Sequence, residues 1–125
     1  MMTVSEGYPD DVLAVMASGR VTIEDYRDVL LPEANVRLER HDTLRLLYVI
    51  GKDFESFSPG AMVADTRFGL GHLGRLDRCA LVTDVAWIAD GARLFAPLFH
   101  VPFRVFSCAE ADAARDWVLE RADHP

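Results

Sequence analysis

Ser58-Pro59-Gly60 is the run whose residue types point most directly to chemistry. Serine at a helix N-cap accepts a backbone N–H, and proline at the first helical position loses nothing by lacking one. The amides around Ser58, Gly60 and Ala61 would then face an anion at the positive end of a helix. In an open α/β sheet, ligands gather at the carboxyl ends of the strands. That edge would also collect Asp53, Glu55 and Ser56 just before the run, Asp84 and Trp87 after a later apolar stretch, and Ser107 after the last one. Ser56, Ser58, Gly60 and Asp84 are therefore the candidate regulatory or anion-binding residues. Helix capping alone is enough to explain Ser58, Asp84 and Ser107.

Other chemistries lack their parts. A nucleophile needs a base in hydrogen-bond reach and a third group to hold that base, and the chain has no G-x-S-x-G elbow. Cys79 and Cys108 fall in or just after apolar strand candidates, where a free thiol behaves as a small hydrophobe. His41, His72, His100 and His124 have no metal-ligand spacing, and there is no C-x-x-C. Gly69-Leu70-Gly71-His72-Leu73-Gly74 matches the dinucleotide fingerprint letter for letter, but that loop must follow a strand and open a helix. Here the glycines close a helical pattern and lead into a strand, and Gly74 reads as a helix terminator. The expectation is no catalytic residue, no metal and no cofactor. Trp87, Phe95, Phe99, Phe103 and Phe106 crowd around the last crossover. They would either line an apolar pocket or fill the core.

The elements that must position these groups alternate along the chain. Residues Met2 to Ser5 would pair, as a brief edge strand, with Asp11 to Ala17, which ends in a turn at Ser18-Gly19-Arg20. Thr22 caps a helix with Tyr26, Val29 and Leu30 on one face. Pro32 either kinks that helix or opens a second segment through Val36 to about Arg40, ended by His41-Asp42. Leu44 to Ile50 is an almost continuous apolar run, as in a strand buried on both faces, and Gly51 to Phe57 reads as a loop. The helix starting at Pro59 runs to about Leu73, with Met62, Thr66, Gly69, Leu70 and Leu73 on one face. Cys79 to Thr83 is another buried strand, and Val85 to Leu98 a helix turning Trp87, Ile88, Gly91, Phe95 and Leu98 inward. Pro102 to Phe106 is the last strand. Ser107 and Glu110 form a capping box before a final helix with Ala114, Trp117 and Val118 toward the core. This order predicts an α/β domain: a mainly parallel sheet with right-handed crossovers, flanked by about four helices.

Residues 1–125 suit one domain, long enough to bury a core without disulfides or metals. With 13 Lys+Arg against 20 Asp+Glu the formal charge is −7, which argues against nucleic acid and anionic membrane surfaces as partners. No apolar run approaches the roughly 18–20 residues of a membrane span. The start MMTVSEGYPDD has no basic or apolar leader pattern. Together with two isolated cysteines, this places the expected location in the cytoplasm.

Four stretches together resemble the SpoIIAA-like family of bacterial STAS-type domains: ASGRVTIEDYRDVLLPE, RLLYVIGKDFESFSPGA, FGLGHLGRLDRCALVTDVAWIAD and PFRVFSCAEADAARDWV. The resemblance spans roughly residues 10 to 120. It implies a parallel-type sheet flanked by helices, similar to anti-sigma-factor antagonists and to the CRAL-TRIO lipid-transfer fold. STAS domains typically act as interaction modules, some switched by phosphorylation of a serine at the start of the helix after the central strand. Ser58 stands at the matching place, with Ser56 close by. Where the antagonists carry an Asp-Ser-Ser-Gly run, this chain has Phe54-Glu55-Ser56-Phe57-Ser58-Pro59-Gly60, so the switch residues are not reproduced. The resemblance implies a non-catalytic regulatory or protein-interaction module with a protein partner. A binder of small apolar ligands or lipids is the alternative, and pairing into a homodimer through a sheet edge or helix face is open.

Overall fold

A computed structural model describes residues 1–61, 75–99 and 101–120, without the side chains of Phe95, Leu98 and Phe99. Five strands lie side by side in sequence order: β1 (Met2–Val4), β2 (Val12–Val21), β3 (Leu44–Phe57), β4 (Leu76–Val82) and β5 (Phe103–Phe106). β1 is antiparallel to β2, and every other neighbouring pair is parallel. The expected α/β sheet with an antiparallel N-terminal edge is therefore the observed one.

β3 runs through the middle of the sheet. Leu44, Leu46, Tyr48 and Ile50 face one side and Leu47 the other, all of them buried, so Leu44 to Ile50 reads as one apolar stretch. The first face is covered by three consecutive helical pieces and by α3 (Ala86–Phe95). The three pieces are α1 (Ile23–Asp25), a π-helical turn (Tyr26–Leu30) and α2 (Leu31–Arg40). Tyr26, Leu30, Ala34 and Leu38 form their buried stripe. The Leu31 amide bonds the Tyr26 carbonyl, one residue beyond α-helical spacing. Pro32, which has no N–H to give, thus enters in the first turn of α2 instead of breaking a helix from within. α4 (Ala111–Leu119) covers the second face through Ala114 and Val118. The anticipated box of Ser107 with Glu110 is present, and Thr22, expected as an N-cap, forms a second box with Asp25.

Arg45 is the exception to the apolar reading of β3. Its side chain faces the α4 side and the residue is only 6% exposed. It bonds Asp77 at 2.9 Å, the Val118 carbonyl at 2.9 Å and the Glu120 carbonyl. A buried guanidinium needs such partners, and here two of them are the otherwise unsatisfied carbonyls at the end of α4.

Two stretches expected as turn and loop are strand. Ser18-Gly19-Arg20 lies inside β2, and Gly51 to Phe57 is the second half of β3. The two pair as Gly19↔Phe54, Arg20↔Ser56 and Val21↔Phe57, with register shifts around Gly19, whose φ is 57°. β4 pairs no further along β3 than Val49↔Val82, so among the described residues the second half of β3 has only β2 as a ladder partner. A ladder needs backbone partners, not apolar side chains. Lys52, Asp53, Glu55 and Ser56 are exposed, which hides this strand from a reading keyed to apolar runs.

The helix expected to reach Leu98 is α-helical only to Phe95 and tightens to a 3-10 turn over Ala96–Phe99, where Pro97 cannot continue an α-helical ladder. The helical face expected beyond Ala61, the glycine motif at 69–74, His72, His100 and His124 lie outside the described residues.

Candidate functional site

Ser58 directly follows β3 and makes two bonds that fix the start of the next helix. Its amide donates to the Val21 carbonyl at 2.8 Å, and its Oγ accepts the Ala61 amide at 3.1 Å. The serine is thus an N-cap, as its position before proline implies. These bonds also shrink the anticipated anion cradle. Ser58 and Ala61 have committed their amides and Pro59 has none, which leaves Gly60 as the donor of that turn. Gly60 is pressed against α1: a Cβ built there would lie 3.3 Å from Ile23 Cβ. Ser56 sits opposite Arg20 in the ladder and is exposed.

Asp84 follows β4, but it does not cap its own helix. Its Oδ1 accepts the Cys108 amide at 2.9 Å, at the start of the helical segment after β5. Thr83 instead serves the turn into α3, its Oγ1 accepting the Val85 amide at 3.0 Å. Cys108 Sγ lies 3.7 Å from the Ile50 carbonyl. Burial pushes the Cys108 thiol above its ordinary value, and the Asp84 carboxylate beside it pushes the same way. A thiol so placed is a poor nucleophile at neutral pH.

Ser58 and Asp84 end different strands, and aromatic rings connect the two places. Phe57 lies against Phe54 with the rings tilted by 54° and centroids 4.9 Å apart, and its ring meets Trp87 edge-on at 6.4 Å. Trp87 was expected inward, yet it is 57% exposed. It sits in the first turn of α3, whose core contacts are made by Ile88 and Ala92. Phe54 and Phe57 were concealed by the loop reading. Glu55 is an extra residue of β3 opposite the Gly19–Arg20 step. This bulge lets two residues three apart pack on the same core. An F-x-x-F spacing on a bulged strand is the signal that marks them.

The expected apolar group is divided by the sheet. Phe103 packs with the core under α3 and Phe106 with the core under α4, because positions three apart on a regular strand face opposite sides. One pocket cannot take both. Phe103 does line a cleft of about 400 Å³ with Arg93, Ala96, Pro97, Val101 and Val105. The side chains of Phe95 and Phe99 lie outside the described residues. No group of three or more His, Cys, Asp or Glu among the described residues is placed to hold a metal ion.

No helix among the described residues is long and apolar enough to cross a membrane. A search of curated proteins gives no match. Among solved structures, an uncharacterized protein of the DUF3478 family from Shewanella loihica PV-4, described as having a SpoIIAA-like fold, superposes with a TM-score of 0.76. It is 25% identical, with 94% of this chain and 93% of that chain covered. The SpoIIAA-like family model matches residues 12–119, from the start of β2 to the end of α4. The chain belongs to the SpoIIAA-like family.

Proposed function

We propose that this domain is a non-catalytic protein-interaction module of the cytoplasm, whose partner meets the ends of β3 and β4 around Ser58 and Asp84. The observation that carries this reading is Trp87. A tryptophan 57% exposed and set edge-on against Phe57, the residue before Ser58, is an apolar anchor three residues after Asp84 in the chain, and tryptophans are enriched at the energetic centres of protein interfaces. Ser58 supplies the point of control. Phosphate on an N-cap serine adds negative charge at the positive end of a helix, where it is tolerated electrostatically. Affinity capture from cells with wild type, Trp87→Ala, Ser58→Ala and Ser58→Asp tests the proposal. The expected result is a partner lost with Trp87→Ala and changed in occupancy between the two Ser58 variants. Identical partners at identical occupancy across all four would remove both residues from the account.

A second reading rests on the cleft beside Phe103. Its volume of about 400 Å³ falls within the ~300–1,000 Å³ of small-molecule pockets. A small apolar ligand with an acidic end would set that end against Arg93. Native mass spectrometry of freshly purified protein would reveal such a ligand as added mass, and bare protein alone counts against this reading.

A further inference from the structure

β5 is the last strand of the sheet among the described residues. The carbonyls of Pro102 and Phe106 accept the Cys79 and Thr83 amides at 3.0 and 2.9 Å. Backbone groups in a ladder turn to one neighbour at alternate residues. Pro102, Arg104 and Phe106 therefore face β4, and Val105 turns its N–H and C=O to the outer side. Side chains alternate in the other direction. Val105 lines the cleft with Ala96, Pro97 and Arg93 on one face of the sheet. Arg104 lies on the opposite face, its guanidinium 4.9 Å from the Phe106 ring centroid and 5.5 Å from that of Trp117.

The two arginines around Trp117 differ in what they bond. Arg78, 5.1 Å over the same indole, donates to the Trp117 carbonyl at 2.7 Å. Arg104 has no hydrogen bond or ion pair among the described residues. Glu110 feels the charge of Arg104, but its carboxylate accepts the Ser107 amide at 2.8 Å. On the cleft face, Arg93 has a loose contact with Asp90 at 3.7 Å among the described residues, and its charge also reaches Glu110. An outward-facing backbone residue is thus flanked on one face by a guanidinium set over two rings, with no hydrogen bond or ion pair among the described residues, and on the other by an apolar cleft with a second arginine.

We propose that β5 takes up an additional β-strand from a partner protein: an extended acidic segment whose side chains alternate, apolar on the cleft face and Asp or Glu on the Arg104 face. Strand addition draws its affinity from the main chain and its specificity from alternate side chains. Cross-strand neighbours share a face, so the acidic residue opposite Arg104 meets a fork suited to two parallel hydrogen bonds. A second copy of this chain fits poorly. Antiparallel pairing of two β5 strands centred on Arg104 sets two guanidiniums directly opposite, which is destabilising, and pairing centred on Val105 sets Arg104 opposite Phe106, so that neither register gives it a carboxylate. The overall charge of −7 opposes an acidic segment at long range. Recognition therefore depends on Arg104 acting within a Debye length of about 8 Å.

The test uses the full chain and a fluorescein-labelled peptide of alternating valine and glutamate, with amide hydrogen exchange read by NMR. Binding is expected to protect the Val105 amide. Arg104→Glu should weaken it by about tenfold or more, and a peptide with lysine in place of glutamate should prefer Arg104→Glu over wild type. Val105→Pro removes an outward N–H while sparing the ladder to β4. It should abolish binding in a protein whose circular dichroism is unchanged. An unprotected Val105 amide at saturating peptide overturns the proposal, as does equal binding of both peptides by wild type. Protection that rises with protein concentration in the absence of peptide assigns the edge to a second copy and overturns it too. Each of these outcomes leaves the Trp87 and Ser58 captures unaffected, so the two readings fail separately.

Discussion

Asp84 Oδ1 accepts the amide of Cys108 at 2.9 Å and so ties the end of β4 to the start of the helical segment that follows β5. The carboxylate caps a neighbouring element and leaves its own helix to Thr83. It also stands beside the Cys108 thiol and, after burial, is the next largest reason that thiol resists ionisation. Asp84→Asn keeps an acceptor oxygen and removes the charge. Alkylation of Cys108 by iodoacetamide should then proceed faster at any fixed pH below the thiol midpoint, with the midpoint lowered but still above that of a free cysteine. A midpoint that does not move would show that burial alone sets it. Asp84→Ala loses the cap as well, at about 1 kcal/mol in urea denaturation.

Ser58→Ala removes the acceptor of the Ala61 amide and should cost about 1 kcal/mol. Ser58→Asp retains a cap and adds negative charge at a helix start, so its stability should lie within about 0.5 kcal/mol of wild type. Urea unfolding of both variants checks this. It also decides whether Ser58→Asp is a fair mimic in the capture experiment.

Asp10 holds the segment before β2 to the end of α2. Its carboxylate meets Arg40 at 2.8 Å and His41 Nε2 at 2.8 Å. Hydrogen bonds from Arg40 and then His41 hold its carboxyl well below the usual carboxylate range. A depressed folded-state value means stability that is present above the unfolded value of about 4 and lost as pH falls below it. Asp10→Asn should therefore flatten the acid limb of a stability–pH profile below about pH 4. An unchanged limb would assign acid sensitivity to other carboxylates.

Arg45 joins Asp77 to the two final carbonyls of α4. Arg45→Ala should cost about 2–3 kcal/mol, the range for charge-assisted bonds of a buried group. Asp77→Ala should cost less, because the guanidinium keeps its carbonyl partners. Hydrogen exchange should show the α4 amides fraying first in Arg45→Ala. Equal costs for the two variants would mean that the ion pair, not the helix end, is what Arg45 serves.

The parts of the fold that were legible in the sequence are those signalled by local chemistry. Leu44 to Ile50 announces a buried strand, Thr22 as a cap and Ser107 with Glu110 announce helix starts, and Ser58-Pro59 announces a third. The second half of β3 was not legible, because its partner residues in β2 lie about 35 positions away in sequence and most of its side chains are polar. The same gap hid Phe54 and Phe57, whose shared face depends on a bulge set by pairing with β2. Trp87 was misread for a related reason. Helical spacing names the residues on a face, and the sheet alone decides how much of that face it covers.

The amino-acid sequence by itself determined the class of fold, the order of its elements and the capping residues, since each follows from interactions within a few positions of the chain. Only the tertiary structure decided which groups share a surface. Phe103 and Phe106 are close in sequence yet separated by the sheet, while Asp84 and Cys108 are far apart in sequence and bonded. Strand pairing and register make those assignments. They arise from backbone hydrogen bonds between distant segments, which leave little trace in the side chains that a linear reading can see.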